Sequence, residues 1–164
     1  MCASKCILLV DDEEDLTWSI SKSLNKNDKI FEVVCVNNGN SALEVLSARH
    51  VDLVISDLRM PGRDGLALLL DIQSSYPDTR VIIMTAHGTE QMRQAVKQLG
   101  TPYYIEKPFE IRYLRKLIYE ALDLNQTGLE GMLVNSRIRD PQGISNERTI
   151  QTGWQTLLNL KMAD

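Results

Sequence analysis

Five short apolar runs alternate with longer amphipathic segments along the first three quarters of the chain. The runs are rich in valine, isoleucine and leucine, and they are Cys6–Val10, Phe31–Val36, Leu53–Ser56, Val81–Met84 and Tyr103–Ile105. Nearly continuous apolar runs of this length are typical of strands that are buried on both faces. The alternation therefore predicts a parallel sheet with right-handed crossovers and helices on both of its faces.

The segments between the runs have the spacing of amphipathic helices. They are Glu14–Asn25, Gly39–Ala48, Gly65–Ser75, Glu90–Gln98 and, after the last run, Ile111–Leu122. In the last segment the apolar residues stand at 111, 114, 117, 118, 121 and 122, which is close to the helical period. Together the runs and segments predict one (βα)₅ domain over residues 5–123.

The character of the chain changes after this domain. Residues 124–164 are interpreted as a linker and a short C-terminal tail, a truncated or degenerate output region. Thr149–Met162 has apolar positions spaced for one short helix, although Gly153 weakens that pattern. Pro141 and Gly143 interrupt the middle of the tail, and no helix-turn-helix is recognisable in it.

Composition and charge narrow the class of protein. Hydrophobic residues make up 43% of the chain, the net charge is −4 and the pI is about 5.2, so we expect no nucleic-acid partner for this chain alone. No apolar stretch approaches the roughly 20 residues of a membrane span, which predicts a cytoplasmic protein without a membrane partner. Cys2, Cys6 and Cys35 lack metal-ligand spacing and are interpreted as reduced, mostly buried thiols. Trp18 is interpreted as core or groove packing.

Chemically useful side chains stand where the predicted strands end. Asp11, Asp12 and Glu13 follow the first run, Asp57 the third, Thr85 the fourth and Lys107 the fifth. The carboxyl ends of parallel strands meet at one edge of a sheet, and strands one and three are expected neighbours, so the three aspartates should converge. Carboxylates that lie so close repel one another unless a cation intervenes, and a hard ion with oxygen ligands such as Mg²⁺ suits them.

Each of these residues also has an ordinary interpretation. Acidic residues after a strand are often solvated or begin a helix, and a lone aspartate there is often a cap. Thr85 could be an ordinary β-branched residue of a strand, and Lys107 could be an ordinary surface lysine. The joint placement of a carboxylate nucleophile, metal-binding acids, a hydroxyl and a lysine favours instead a site that forms an aspartyl phosphate.

Four motifs resemble the receiver domains of bacterial two-component response regulators, the CheY-like superfamily. They are Ile7–Glu13, Asp52–Gly62, Val81–Ala86 and Tyr104–Phe109, in the order and spacing of that family. The resemblance implies an α/β fold of the flavodoxin-like type. In this fold a doubly wound (βα)₅ parallel sheet has the strand order 2-1-3-4-5, followed here by a short C-terminal extension.

The resemblance also implies a phosphoacceptor and a metal site. Asp57 would take the phosphoryl group from the phosphohistidine of a sensor histidine kinase. Mg²⁺ would be the cofactor, bound directly by Asp12, Asp57 and the backbone carbonyl of Arg59, with Asp11 acting through a metal-bound water.

Two further residues would complete the catalytic set that the resemblance implies. Lys107 would pair with Asp57 or with a phosphoryl oxygen, and the peptide bond from Lys107 to Pro108 would be cis. Thr85 would hydrogen-bond the phosphoryl group, and Thr85 and Tyr104 together would form the conformational switch.

The leading functional hypothesis is a phosphorelay receiver that changes its protein partners and catalyses only its own phosphorylation and dephosphorylation. Its partners would be a histidine kinase, a downstream protein or its own output region, and a second copy bound through the face of helix 4, strand 5 and helix 5. The alternative is a DNA-binding transcription regulator whose output domain is missing or unrecognised here. A metal-dependent phosphohydrolase is a third hypothesis.

Overall fold

A computed structural model of the chain describes residues 4–27, 30–62, 64–101 and 103–124. Its strands are β1 (Lys5–Val10), β2 (Phe31–Val36), β3 (Leu53–Asp57), β4 (Arg80–Thr85) and β5 (Tyr103–Glu106). Its helices are α1 (Glu14–Asn27), α2 (Gly39–Ala48), α3 (Gly65–Ser75), α4 (Glu90–Gln98) and α5 (Ile111–Ala121). Within these described ranges, no helix is both long and apolar enough to cross a bilayer. The predicted linker and tail, residues 124–164, lie outside the described residues except for Leu124.

The five strands form one parallel sheet in the order β2-β1-β3-β4-β5, as predicted. Successive side chains of a strand point to opposite faces, and β1 shows the result. Leu8 and Val10 belong to the core under α2, α3 and α4, whereas Ile7 and Leu9 belong to the core under α1 and α5. Both faces are therefore covered, which explains why the central strands are apolar almost throughout.

Side-chain caps fix where three of the helices begin. The side-chain oxygen of Asn38 accepts from the N–H of Ser41 at the start of α2, and that of Asp64 accepts from Ala67 in α3. Thr89 caps α4 in the same way. Because such a cap satisfies an N–H group that has no partner within the helix, it determines where the preceding loop stops. The loops at the carboxyl edge of the sheet are thereby held short.

The structure favours the groove interpretation of Trp18 over the core interpretation, and it corrects the prediction for one cysteine. Trp18 is not a core residue, because 64% of its surface is exposed. It does line an open groove of about 810 Å³ between α1, β2 and the start of α2, and the ammonium of Lys22 lies 4.5 Å from its ring centroid. Cys6 is buried as expected, but Cys35 is exposed. An edge strand such as β2 has one side without a neighbour, so its side chains are less covered.

A polar pair ties β1 to β3 at the edge opposite the predicted site. Asp52 accepts from the Lys5 ammonium and from the Cys6 N–H, both at 2.8 Å, and its side chain is 15% exposed. Burial alone would raise the pKa of Asp52, but these two hydrogen bonds, together with the nearby charges of Lys5 and His50, outweigh burial and lower the pKa below its ordinary value.

Replacing Asp52 with asparagine is expected to lower the free energy of unfolding by about 1–2 kcal/mol at neutral pH, because charge-assisted hydrogen bonds are lost. A carboxyl with a depressed folded-state pKa contributes its full stability above the unfolded pKa of about 4 and loses it as the pH falls through the folded value. The difference between wild type and Asp52→Asn should therefore shrink at acid pH. Urea unfolding at several pH values measures this, with exposed Asp78→Asn as the control. A difference independent of pH would contradict it.

Candidate functional site

The structure brings the predicted side chains to one edge of the sheet. Asp11 directly follows β1, Asp57 ends β3, Thr85 ends β4 and Lys107 directly follows β5. All four strands run parallel, so all four positions lie at the carboxyl edge. Residues that are up to 96 positions apart in sequence contact each other here.

Three carboxylates converge at this edge. Asp11, Asp12 and Asp57 each place one oxygen within 4.8 Å of the others, with Asp11 and Asp57 buried and Asp12 exposed. Burial raises the pKa of Asp11, the nearby charge of Asp57 adds to that effect, and hydrogen bonds from Lys107 and from the Glu13 N–H oppose it. A set of carboxylate oxygens with one solvent-facing member suits Mg²⁺, which retains waters and prefers hard ligands.

Lys107 is the cation of the site, and its side chain is largely buried. Its Nζ donates to Asp11 Oδ2 at 2.6 Å, to Glu13 Oε1 at 3.1 Å and to Asp57 Oδ2 at 3.2 Å. Burial acts to lower the pKa of Lys107, but its bonds and charge interactions with these carboxylates raise the pKa well above the usual range. The ammonium is therefore a permanent positive charge. The Lys107–Pro108 peptide bond is cis, as expected.

The backbone around Asp57 is closely packed. The Arg59 N–H lies 3.4 Å from Asp57 Oδ1, and the Gly65 N–H donates to the Leu58 carbonyl at 3.0 Å. A Cβ on Gly65 would lie 2.0 Å from the Asp57 carbonyl oxygen, so only glycine allows α3 to begin at this distance from the acid. The start of α3 therefore braces the main chain that carries Asp57.

Thr85 and Tyr104 lie on the β4–β5 side of the cluster. Thr85 is buried, and its hydroxyl accepts from the His87 N–H at 3.3 Å. The Tyr104 side chain is half-buried, and its hydroxyl has no hydrogen-bond partner among the described residues. That hydroxyl lies so close to Gly88 that any Cβ there would overlap it. The Arg93 guanidinium lies 5.4 Å from the Tyr104 ring and also pairs with Glu106 at 2.6 Å.

Three of these contributors were not predicted to have a role. Glu13 was part of the acidic run, but nothing in its spacing indicated that it reaches Lys107. Gly65 and Gly88 stood next to recognised elements, but their close approaches depend on how helices dock on the sheet. The one available signal was Gly65, a glycine that stands at the start of a predicted helix and is not needed there for a turn.

Comparison with known proteins agrees with this fold. A family model described as the response regulator receiver domain matches residues 7–119. The chain belongs to this family, the receiver domains of two-component response regulators, and its role is in phosphorylation-based signalling.

Curated relatives fall into two groups by length. The chain is 35% identical over 124 residues to regulatory protein AtoC of Escherichia coli K12, an alignment of 76% of this chain and 26% of that protein. The chain is also 35% identical to the DNA-binding transcriptional regulator NtrC of Salmonella typhimurium, in an alignment that covers 71% of this chain and 24% of that protein. The chain thus spans about a quarter of these relatives. It covers 94% of sporulation initiation phosphotransferase F of Bacillus subtilis, at 34% identity and with 72% of this chain.

Solved structures show the same fold. Response regulator protein TrrA of Thermotoga maritima, in complex with Mg²⁺-BeF, has 29% identity and a TM-score of 0.64, with 72% of this chain and 99% of that chain covered. A signal receiver domain of an HD domain-containing protein from Pseudomonas fluorescens Pf-5 has 29% identity and a TM-score of 0.67, with 73% and 95% covered.

Proposed function

We propose that Asp57 accepts the phosphoryl group through which this receiver signals. The observation that carries the proposal is that the buried Asp57 carboxylate lies within the acid cluster and accepts from Lys107. Catalysis of phosphoryl transfer depends mainly on placing the nucleophile in line and on neutralising the charge of the phosphoryl oxygens. In transfer from a phosphohistidine, an Asp57 oxygen forms the new P–O bond as the P–N bond breaks, and the bonding electron pair returns to the imidazole.

Mg²⁺ is the proposed cofactor, because the donor set consists of hard oxygens. Asp12, Asp57 and the backbone carbonyl of Arg59 would bind it directly. Asp11 would act through a metal-bound water, and its two carboxylate oxygens accept from the Glu13 N–H and from Lys107. When bound, the ion neutralises charge on the phosphoryl oxygens.

Lys107 and Thr85 are the proposed partners of the phosphoryl oxygens. The ammonium of Lys107 already lies beside Asp57, and a fixed cation there would stabilise the charge that the new group brings. Thr85 offers a hydroxyl at the end of the neighbouring strand β4, within the same buried edge. A shift of Thr85 toward the phosphoryl group would move the loop that leads to Gly88 and α4.

Tyr104 is the proposed readout of that movement. Its hydroxyl lies against Gly88, three residues after Thr85, so movement of this loop changes the space that the ring occupies. The surface formed by α4, β5 and α5 would then differ between the two states. Its proposed occupants are a downstream protein, the chain's own output region or a second copy. The proposed donor is a sensor histidine kinase, and the proposed location is the cytoplasm.

A second candidate function is control of transcription through a DNA-binding output. The NtrC relative supports it, because its name describes a DNA-binding transcriptional regulator. That relative is about four times as long as the matched region. The match to sporulation initiation phosphotransferase F, which is covered almost end to end, supports instead a receiver that takes part in phosphotransfer. We favour a receiver that acts through protein partners over a DNA-binding regulator, because the described residues carry no excess of positive charge for binding DNA.

Incubating the chain with acetyl phosphate is expected to attach a single phosphoryl group when Mg²⁺ is present and almost none when the metal is chelated. The reason is that three carboxylates and an incoming phosphate are all negatively charged, and Lys107 supplies one positive charge. Intact-mass spectrometry measures the stoichiometry. Labelling of equal extent without metal would contradict the proposed site, and repeated turnover of a small phosphate ester would indicate a phosphohydrolase instead.

A further inference from the structure

The hydrogen-bonding capacity of Lys107 is fully used in this structure. An ammonium has three N–H donors, and three carboxylates lie within 3.2 Å of Lys107 Nζ. A phosphoryl oxygen that is to bond with Lys107 must therefore take the place of one acceptor. The three acceptors, Asp11, Glu13 and Asp57, differ in how readily they can leave.

Phosphorylation converts Asp57 itself, so one phosphoryl oxygen can take its place at Lys107, and a second can bond with Lys107 only if Asp11 or Glu13 leaves. Asp11 is poorly suited to leave, because it is buried, belongs to the metal-binding group of acids and is held a second time by the Glu13 N–H at 2.9 Å. Glu13 differs on both points. Its side chain is 64% exposed, and it is outside the acid group that could hold a metal. A swing of its carboxylate into solvent costs little, because water replaces the lost hydrogen bond.

We propose that Glu13 is a positioning residue that holds Lys107 in the resting state and yields its place to a phosphoryl oxygen. This inference rests on the proposed function of Asp57 and deepens it. Glu13 then competes with the phosphoryl group for Lys107, so it sets the affinity of the site for phosphoryl-like ligands. Removal of its negative charge should favour the occupied state.

The local backbone makes Glu13 suitable for substitution. Its N–H donates to Asp11, and its carbonyl accepts from the N–H groups of Leu16 and Thr17 at the start of α1. These bonds use main-chain atoms, so Glu13→Gln leaves them in place. Glu14 is the matched control. It is an exposed acid one residue away whose side chain contacts Asn37 and not Lys107, so Glu14→Gln removes the same charge without the contact.

The test is an isothermal calorimetric titration of the full chain with fluoroberyllate at a fixed concentration of Mg²⁺. Fluoroberyllate is the phosphoryl-like probe, as in the TrrA complex. We expect Glu13→Gln to lower the half-saturating concentration about threefold to fivefold, the upper part of the range for an ion pair with one exposed partner, and Glu14→Gln to change it less than about twofold. In a Lys107→Ala background, Glu13→Gln should have no further effect, because the competition has been removed.

Failure of this inference and failure of the proposed function look different. Equal effects of Glu13→Gln and Glu14→Gln would show a general charge effect and overturn the role of Glu13, as would weaker binding by Glu13→Gln. Either result leaves wild-type labelling at Asp57 intact. Absence of wild-type labelling by acetyl phosphate and Mg²⁺ would overturn the proposed function itself.

Discussion

Asp57→Asn is expected to lose labelling by acetyl phosphate and Mg²⁺ by about a thousandfold or more, because an amide oxygen does not serve as the nucleophile. The substitution keeps the shape of the side chain and removes one negative charge from a crowded cluster. Lys107 retains Asp11 and Glu13 as acceptors, so the fold should persist. We therefore expect stability within about 1 kcal/mol of wild type.

Intact-mass spectrometry of wild type and Asp57→Asn under the same conditions measures the loss. The control is Asp78→Asn, which changes an exposed carboxylate in the loop after α3 and should be labelled like wild type. Peptide mapping of the wild-type product would place the label. An Asp57→Asn chain that is still labelled to full stoichiometry would assign the nucleophile to another acid, with Asp12 the first to test.

Gly65→Ala is expected to have the second largest effect, on stability and on labelling together. The added Cβ would lie 2.0 Å from the Asp57 carbonyl oxygen and 2.9 Å from Leu58 Cα, both main-chain atoms with little freedom to move. Relief of the overlap requires the start of α3 or the end of β3 to shift. We expect a loss of about 1–3 kcal/mol in the free energy of unfolding. A displaced nucleophile should also label about 10- to 100-fold more slowly.

Gly62→Ala separates this overlap from a general intolerance of alanine in the loop. Gly62 has a φ of +81° and no atoms near its Cβ position, so alanine there costs backbone conformational energy without pushing on Asp57. Urea unfolding and labelling rates of both variants make the comparison. If Gly65→Ala kept wild-type stability and rate, α3 would not brace the acceptor.

The backbone of the sheet and most of the site could be predicted from sequence because both depend on local patterns. The bounds of β2, α2, α3 and α4 agree with prediction, since apolar runs, helical periods and turn residues are read over short windows. β3 extends beyond its predicted end to include Asp57, and β4 extends beyond its predicted end to include Thr85. The polar residues predicted to follow these strands are thus the last residues in the sheet.

The parts that could not be predicted depend on how elements dock. The contact of Glu13 with Lys107 joins residues 94 positions apart, and helical or strand periodicity carries no information on that distance. Trp18 stands on an amphipathic helix, but its outward direction is decided by which face α1 turns to the sheet. The exposure of Cys35 likewise follows from the place of β2 at the sheet edge, which is a property of topology.

The Tyr104 hydroxyl points to local frustration in an otherwise well-satisfied fold. A buried hydroxyl without a partner costs about 1–3 kcal/mol, and among the described residues it is the one buried side-chain polar atom that lacks a partner. That penalty would be relieved in an alternative arrangement in which the hydroxyl meets water or an acceptor. The gap between the two arrangements is correspondingly narrow. A modest input of binding energy at the acid cluster would then suffice to redistribute the population, so sensitivity is gained where packing is least optimised.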